Sequence, residues 1–114
     1  MPIVRVPTAE ITDWSTFHDV FARIFGFPDF YGRNIDAWID CMTCADDSGA
    51  GLIAADLVVP EGDVLTLHVE NVVDFAERCP EQYAAVVECA AFVNYRRIDK
   101  GDRPILALSF YGDK

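Results

Sequence analysis

The chain has 114 residues, a length typical of one domain, and its hydrophobic fraction of 52% favours a globular fold over disorder. Its formal net charge is −10, from 19 acidic and 9 basic side chains. Because nucleic acids and anionic membranes are polyanions, this charge argues against either as a direct partner, and it is explained either by a basic partner or by solubility alone. We expect a single domain over residues 1–114.

The amino-terminal segment predicts a short strand and no targeting signal. Ile3–Val6 is rich in β-branched side chains, which are typical of strands. No basic stretch followed by an apolar run is found there, so no signal peptide is predicted. No apolar run in the chain reaches the roughly 18 residues of a membrane-spanning helix. We therefore expect a cytoplasmic protein.

Apolar side chains at helical spacing predict a first helix over residues 13–25, with Thr12 as its N-cap and Gly26 as its stop. Its apolar stripe, which we assign to the core, comprises Trp14, Phe17, Phe21, Ile24 and Phe25.

A turn-rich aromatic loop separates this helix from a second one. Pro28 prevents the first helix from continuing, and Gly32 permits unusual backbone angles. The second helix is predicted over residues 34–43 with Asn34 as its N-cap. Its core stripe consists of Ile35, Trp38, Ile39 and Met42.

Residues 45–63 are predicted to be irregular, although the apolar stretch 52–59 fits a short helix, a strand or a packed loop. The later predicted elements are a strand over 64–69, a helical turn from about Asn71, a long helix from Pro80 to about Arg97, and a strand over 105–110. The long helix is expected to be well buried, with Arg96 and Arg97 favourable at its negative end. The apolar last strand is expected to be covered on both faces. Helices between successive strands predict an α/β fold with a small three-stranded parallel sheet packed with helices.

The second helix carries two acidic side chains one turn apart. Asp36 and Asp40 share a face away from the core stripe, and like charges at this spacing destabilise a helix by about 0.2–0.5 kcal/mol. Asp36 gains from the helix N-terminus and has Arg33 as a candidate partner. No Lys or Arg stands three or four residues from Asp40, so we expect little neutralisation of this pair of carboxylates. This spacing alone leaves open an ordinary solvated face and a site for a basic partner.

A basic partner is attractive because side chains that bind phosphate also bind carboxylates. Carboxylates one helical turn apart are separated by roughly 6 Å, comparable with successive backbone phosphates. An acidic helix of this kind can therefore imitate a piece of nucleic acid.

The chain has four cysteines, which we interpret as free thiols: Cys41, Cys44, Cys79 and Cys89. Cys41 and Cys44 form a C-x-x-C without a second pair at metal spacing, so no metal or cofactor is predicted. An enzyme using Cys41 or Cys89 with His68 is a less favoured alternative, because no Gly-rich phosphate loop or nucleophile elbow supports it. We expect a protein that is not an enzyme.

Residues 27–43 resemble the signature of the barstar family, whose members are intracellular inhibitors of barnase-like ribonucleases. The shared pattern is Pro, acid, aromatic, Tyr, Gly, any residue, Asn, aliphatic, Asp, Ala, followed by Asp, Cys, aliphatic, Thr. The resemblance implies a three-stranded parallel sheet flanked by helices. It also implies that the second helix and the loop before it enter the active site of a basic, extracellular-type ribonuclease.

The resemblance assigns roles to individual positions. Asp40 matches the acid that mimics a phosphate in the catalytic subsite, Asp36 matches its companion, and Phe30 matches an aromatic that packs on the nuclease. The other implied partner-binding positions are Tyr31, Gly32, Asn34, Ala37 and Thr43.

Two departures concern the identity of the target. Ile39 stands where family members often carry Trp, and Cys44-Ala45 follows the Thr where a Gly-Trp pair is frequent. The alternative to a ribonuclease inhibitor is therefore a barstar-like immunity or binding protein for a different toxin or a partner that is not a ribonuclease.

Overall fold

A computed structural model describes residues 3–111, and over this part of the chain it contains one sheet of three strands and four α-helices. The elements are β1 (Ile3–Val6), α1 (Trp14–Phe25), α2 (Ile35–Thr43), β2 (Leu65–Val69), α3 (Val72–Arg78), α4 (Pro80–Asp99) and β3 (Leu106–Ser109). The predicted α/β class and order of elements are confirmed.

The sheet has the order β1-β2-β3, and both strand pairs are parallel. Leu67 of β2 pairs with Val4 on one side and Leu108 on the other. The central strand is the best buried, whereas most of β3 is half-buried. The expectation that the last strand is covered on both faces is wrong, because three of the four residues of β3 are only half-buried; the strand also lies at an edge of the sheet.

The start of α1 differs by one residue from the prediction. The N-cap is Asp13 rather than Thr12, because the Asp13 carboxylate accepts a hydrogen bond from the Thr16 backbone N–H at 2.8 Å. The Asp13 N–H in turn donates to Thr16 Oγ1 at 3.0 Å, which completes a capping box. Gly26, at a φ of 65°, ends the helix as predicted.

The core is built on the aromatic face of α1. Phe17, Phe21 and Phe25 are almost fully buried, and Phe21 meets the ring of Trp38 edge-on at 5.6 Å. This contact seats α2 against α1. Trp14, which the sequence assigns to the same stripe, is 37% exposed because it begins the helix at the margin of the core.

The stretch 52–59 is a packed loop containing a short 3₁₀ turn, Ala55–Leu57. Ile53 and Val59 are buried, and the Ala54 N–H donates to the Phe25 carbonyl at 2.8 Å. The loop is therefore fixed to the end of α1.

The long helix α4 is less buried than its composition predicts. One face contributes Val86, Ala90 and Val93 to the core and packs on α2, α3 and β3. Another face leaves large apolar side chains exposed, namely Phe92, Tyr95 and Ile98. The expectation of extensive burial is wrong because no described element covers this second face.

Candidate functional site

The amino-terminal end of α2 is fixed by its own sequence. Asn34 caps it as predicted, its Oδ1 accepting from the Ala37 N–H at 2.8 Å. Trp38 and Met42 are fully buried, and this burial fixes the rotation of α2 about its own axis. Asp36 and Asp40 consequently face solvent, and we call these two residues the acidic face of α2.

Asp40 has a counter-charge that sequence spacing does not indicate. Arg96 Nη1 of α4 donates to Asp40 Oδ1 at 3.1 Å. The Asp40 side chain remains 65% exposed and that of Arg96 is 32% exposed. The expectation of little neutralisation is therefore wrong for Asp40. Sequence proximity could not reveal the pair, because 56 residues separate the two positions.

Asp36 makes no ion pair within the described residues. Arg33, its candidate partner, turns instead to α1, where it donates to Asp19 Oδ1 at 2.7 Å and to the Ser15 carbonyl at 3.0 Å. The acidic face thus consists of one free carboxylate and one paired carboxylate.

The loop before α2 combines an exposed ring with a buried one. Phe30 is 77% exposed, whereas Tyr31 is 9% exposed and its hydroxyl hydrogen-bonds His18 Nδ1 at 2.6 Å. Burial raises the pKa of the Tyr31 hydroxyl, and burial together with Arg33 lowers the pKa of His18. Tyr31 therefore anchors the loop from below rather than lying on the surface beside Phe30.

The remaining sequence-predicted positions differ in their accessibility. Gly32 and Asn34 are exposed, and Ala37 is half-buried. Thr43 is also half-buried, and its hydroxyl donates to the Ile39 carbonyl at 2.6 Å. We define the candidate surface as its exposed members: Phe30, Gly32, Asn34, Asp36 and Asp40.

Sequence reasoning missed the residue that holds the carboxyl-terminal end of α2. Arg97 donates from Nη1 and Nη2 to Asp46 at 3.1 and 2.8 Å, and from Nη1 to the Thr43 carbonyl at 2.9 Å. Its Nε also donates to the Arg103 carbonyl at 2.7 Å. The sequence indicated only that a cation suits the end of α4. The contacts add that Arg97 joins α4, α2 and two loops.

The thiol chemistry of α2 is unlike that of a catalytic cysteine. Burial raises the pKa of Cys41 to about 11, with smaller contributions from Asp40 and Cys44. A nucleophilic cysteine needs a lowered pKa. His68, the proposed base, lies elsewhere, with its Nδ1 hydrogen-bonded to Ser109 Oγ at 3.0 Å.

Residues 3–111 contain no group of three His, Cys, Asp or Glu side chains that could hold a metal ion. None of their helices is both long and apolar enough to cross a membrane.

Comparison with known protein families gives a match over most of the chain. The family model described as Barstar (barnase inhibitor) matches residues 1–107, which include the whole candidate surface and both Arg96 and Arg97. No curated protein matches the chain.

Proposed function

The chain belongs to the barstar family, and on this premise we propose that it inhibits a barnase-like ribonuclease by inserting α2 and the preceding loop into the active site. Asp40 takes the place of a substrate phosphate, and Asp36 binds a second basic group nearby. The observation that carries the proposal is the acidic face of α2, two solvent-exposed carboxylates one turn apart on a helix whose other side lies in the core.

Electrostatics supports this assignment. Side chains that bind a phosphate donate equally well to a carboxylate, through short charge-assisted hydrogen bonds. The net charge of −10 also attracts a basic nuclease over longer distances and speeds their encounter.

Rigidity of the candidate surface supports it as well. Tyr31 and Asn34 hold the loop and the first turn of α2, and Arg97 holds the last turn. A surface fixed before binding loses little conformational entropy on docking. Phe30 fits the same function, because a ring that is 77% exposed contributes little to folding but can bury apolar area against a partner.

The test is a titration of barnase activity with the wild type, Asp40→Asn and Asp36→Asn. Loss of one partner of a charge pair buried at an interface costs about 2 kcal/mol or more, so we expect Asp40→Asn to weaken inhibition at least about 30-fold. The matched control is Glu77→Gln on α3, which removes the same charge from an exposed position outside the candidate surface.

We expect Glu77→Gln to stay within about threefold of the wild type, because a distant charge acts mainly through the screened overall field. Circular dichroism melting should show both variants folded, since Asp40 is mostly exposed. Equal inhibition by Asp40→Asn and Glu77→Gln would reject the phosphate-mimic role. A wild type that leaves barnase fully active would reject this nuclease as the target.

A different toxin is the second candidate target, and one observation favours it. Trp38 is fully buried and Ile39 is 7% exposed, so the position before Asp40 presents no aromatic ring to a partner. Family members often carry Trp at that position, and this difference supports a target with another shape at its rim. The same titration against a basic DNase toxin distinguishes the two candidates.

A further inference from the structure

We propose that Arg96 is a built-in counter-ion that Asp40 exchanges for the partner's cation on docking, which makes Arg96 a determinant of affinity and selectivity. The partner's identity rests on the proposed function, but the exchange itself concerns any cationic group that approaches Asp40.

The pair lies where exchange is feasible. Arg96 donates one hydrogen bond, from Nη1 to Oδ1 of Asp40, at 3.1 Å. About two thirds of the Asp40 side chain is open to solvent, so an incoming cation can reach the carboxylate while Arg96 is still in place. Exposed pairs of this kind contribute little to stability, so giving one up costs little.

Other charged groups near the acidic face do not share this role. Asp36 lies one turn before Asp40. Burial, Glu88 and Asp36 together raise the pKa of Cys89 on α4, so the charges between Asp36 and α4 are negative. Arg97 is committed to Asp46. Within residues 3–111, Arg96 makes the one ion pair to the acidic face.

The neighbouring contacts confine the exchange to one side chain. Arg97, the next residue of α4, is anchored by hydrogen bonds to Asp46, Thr43 and Arg103. The backbone of α4 beside Asp40 is therefore fixed, and Arg96 can leave only by rotation of its own side chain. A cation that binds Asp40 meets the positive charge of Arg96 unless this rotation occurs, so weakly bound cationic partners are discriminated against.

The experiment compares Arg96→Gln with Arg5→Gln, each alone and combined with Asp40→Asn. Arg5 is the matched control because it also forms an exposed ion pair, with Glu70, and its loss changes the net charge equally. One arm titrates each variant with a hexa-arginine peptide, followed by the NMR shifts of the α2 backbone amides. The second arm measures inhibition of barnase.

We expect Arg96→Gln to bind the peptide about two- to fivefold more tightly than Arg5→Gln, and barnase about three- to tenfold more tightly. In the Asp40→Asn background the two arginine variants should bind equally. Equal peptide affinities with Asp40 intact would overturn the exchange, and weaker binding by Arg96→Gln would overturn it in favour of a residue that positions Asp40. If no variant inhibits barnase, the proposed function fails and the peptide arm still decides the exchange.

Discussion

Replacing Arg97 with methionine tests whether the last turn of α2 is held by one buried cation. The guanidinium donates to both oxygens of Asp46 and to the carbonyls of Thr43 and Arg103. Methionine keeps a long apolar stem but has no donor. It leaves the Asp46 carboxylate, whose side chain is 17% exposed, without its cation.

The expected loss follows from these contacts. Removing one partner of a buried ion pair costs about 3–5 kcal/mol, because the other charge stays desolvated. The pair here is not completely buried, so we expect Arg97→Met to lower the free energy of unfolding by about 3 kcal/mol. This is a large share of the roughly 5–15 kcal/mol that stabilises a typical small domain.

Urea denaturation followed by tryptophan fluorescence measures the loss. Arg23→Met is the matched control, because Arg23 contacts Glu10 at the same 2.8 Å but with side chains 58% and 52% exposed. The control should lose much less than Arg97→Met, because exposed ion pairs contribute little to stability. In the double variant Arg97→Met/Asp46→Leu, an apolar pair replaces both charges and should recover most of the loss. Equal losses for Arg97→Met and Arg23→Met would refute the reasoning.

Two predictions concern titratable groups behind the candidate surface. Burial raises the pKa of Cys41 from 9.0 to about 11, so its thiolate fraction at neutral pH should be about a hundredfold lower than that of a free thiol. Disulfide-exchange labelling mapped by mass spectrometry should therefore find that Cys41 reacts slowly in the folded protein and fast in urea. Equal labelling rates in the two states would contradict this burial. Burial and Arg33 hold the pKa of His18 below 6.5, so the unfolded chain binds a proton at a higher pH than the folded one. The free energy of unfolding should therefore decrease as pH falls below about 6.5, until the folded-state pKa of His18 is passed. Urea titrations between pH 7.5 and 5 should show this decrease in the wild type and a smaller one in His18→Gln, and an identical slope in both would exclude His18 as its source.

The parts of the fold that the sequence predicts are those set by nearby residues. The cap at Asn34, the stop at Gly26 and the core stripe of α2 each depend on side chains within a few positions of one another. The acidic face follows from the same periodicity, since the core stripe determines which way Asp36 and Asp40 point. Even the error at Asp13 is a choice between two adjacent capping residues.

The parts that could not be predicted depend on how distant elements pack. Arg96 contacts Asp40, 56 residues away in the sequence, and Arg97 contacts Asp46, 51 residues away. No helical or strand periodicity links residues at such separations. The edge position of β3 is a property of strand order, which an apolar run does not encode. Burial of Tyr31 likewise depends on how its loop packs against His18 of α1.

The separation between α2 and its arginines has a consequence for how the protein is made. A chain growing from its amino terminus completes residues 35–43 long before residues 96 and 97. Alone, α2 has nine residues, fewer than the roughly 12–15 that an isolated helix needs for marginal stability in water. Its last turn acquires the Arg97 contacts only when α4 is available. A nascent chain therefore presents no finished binding face until α4 has been made and has packed against α2.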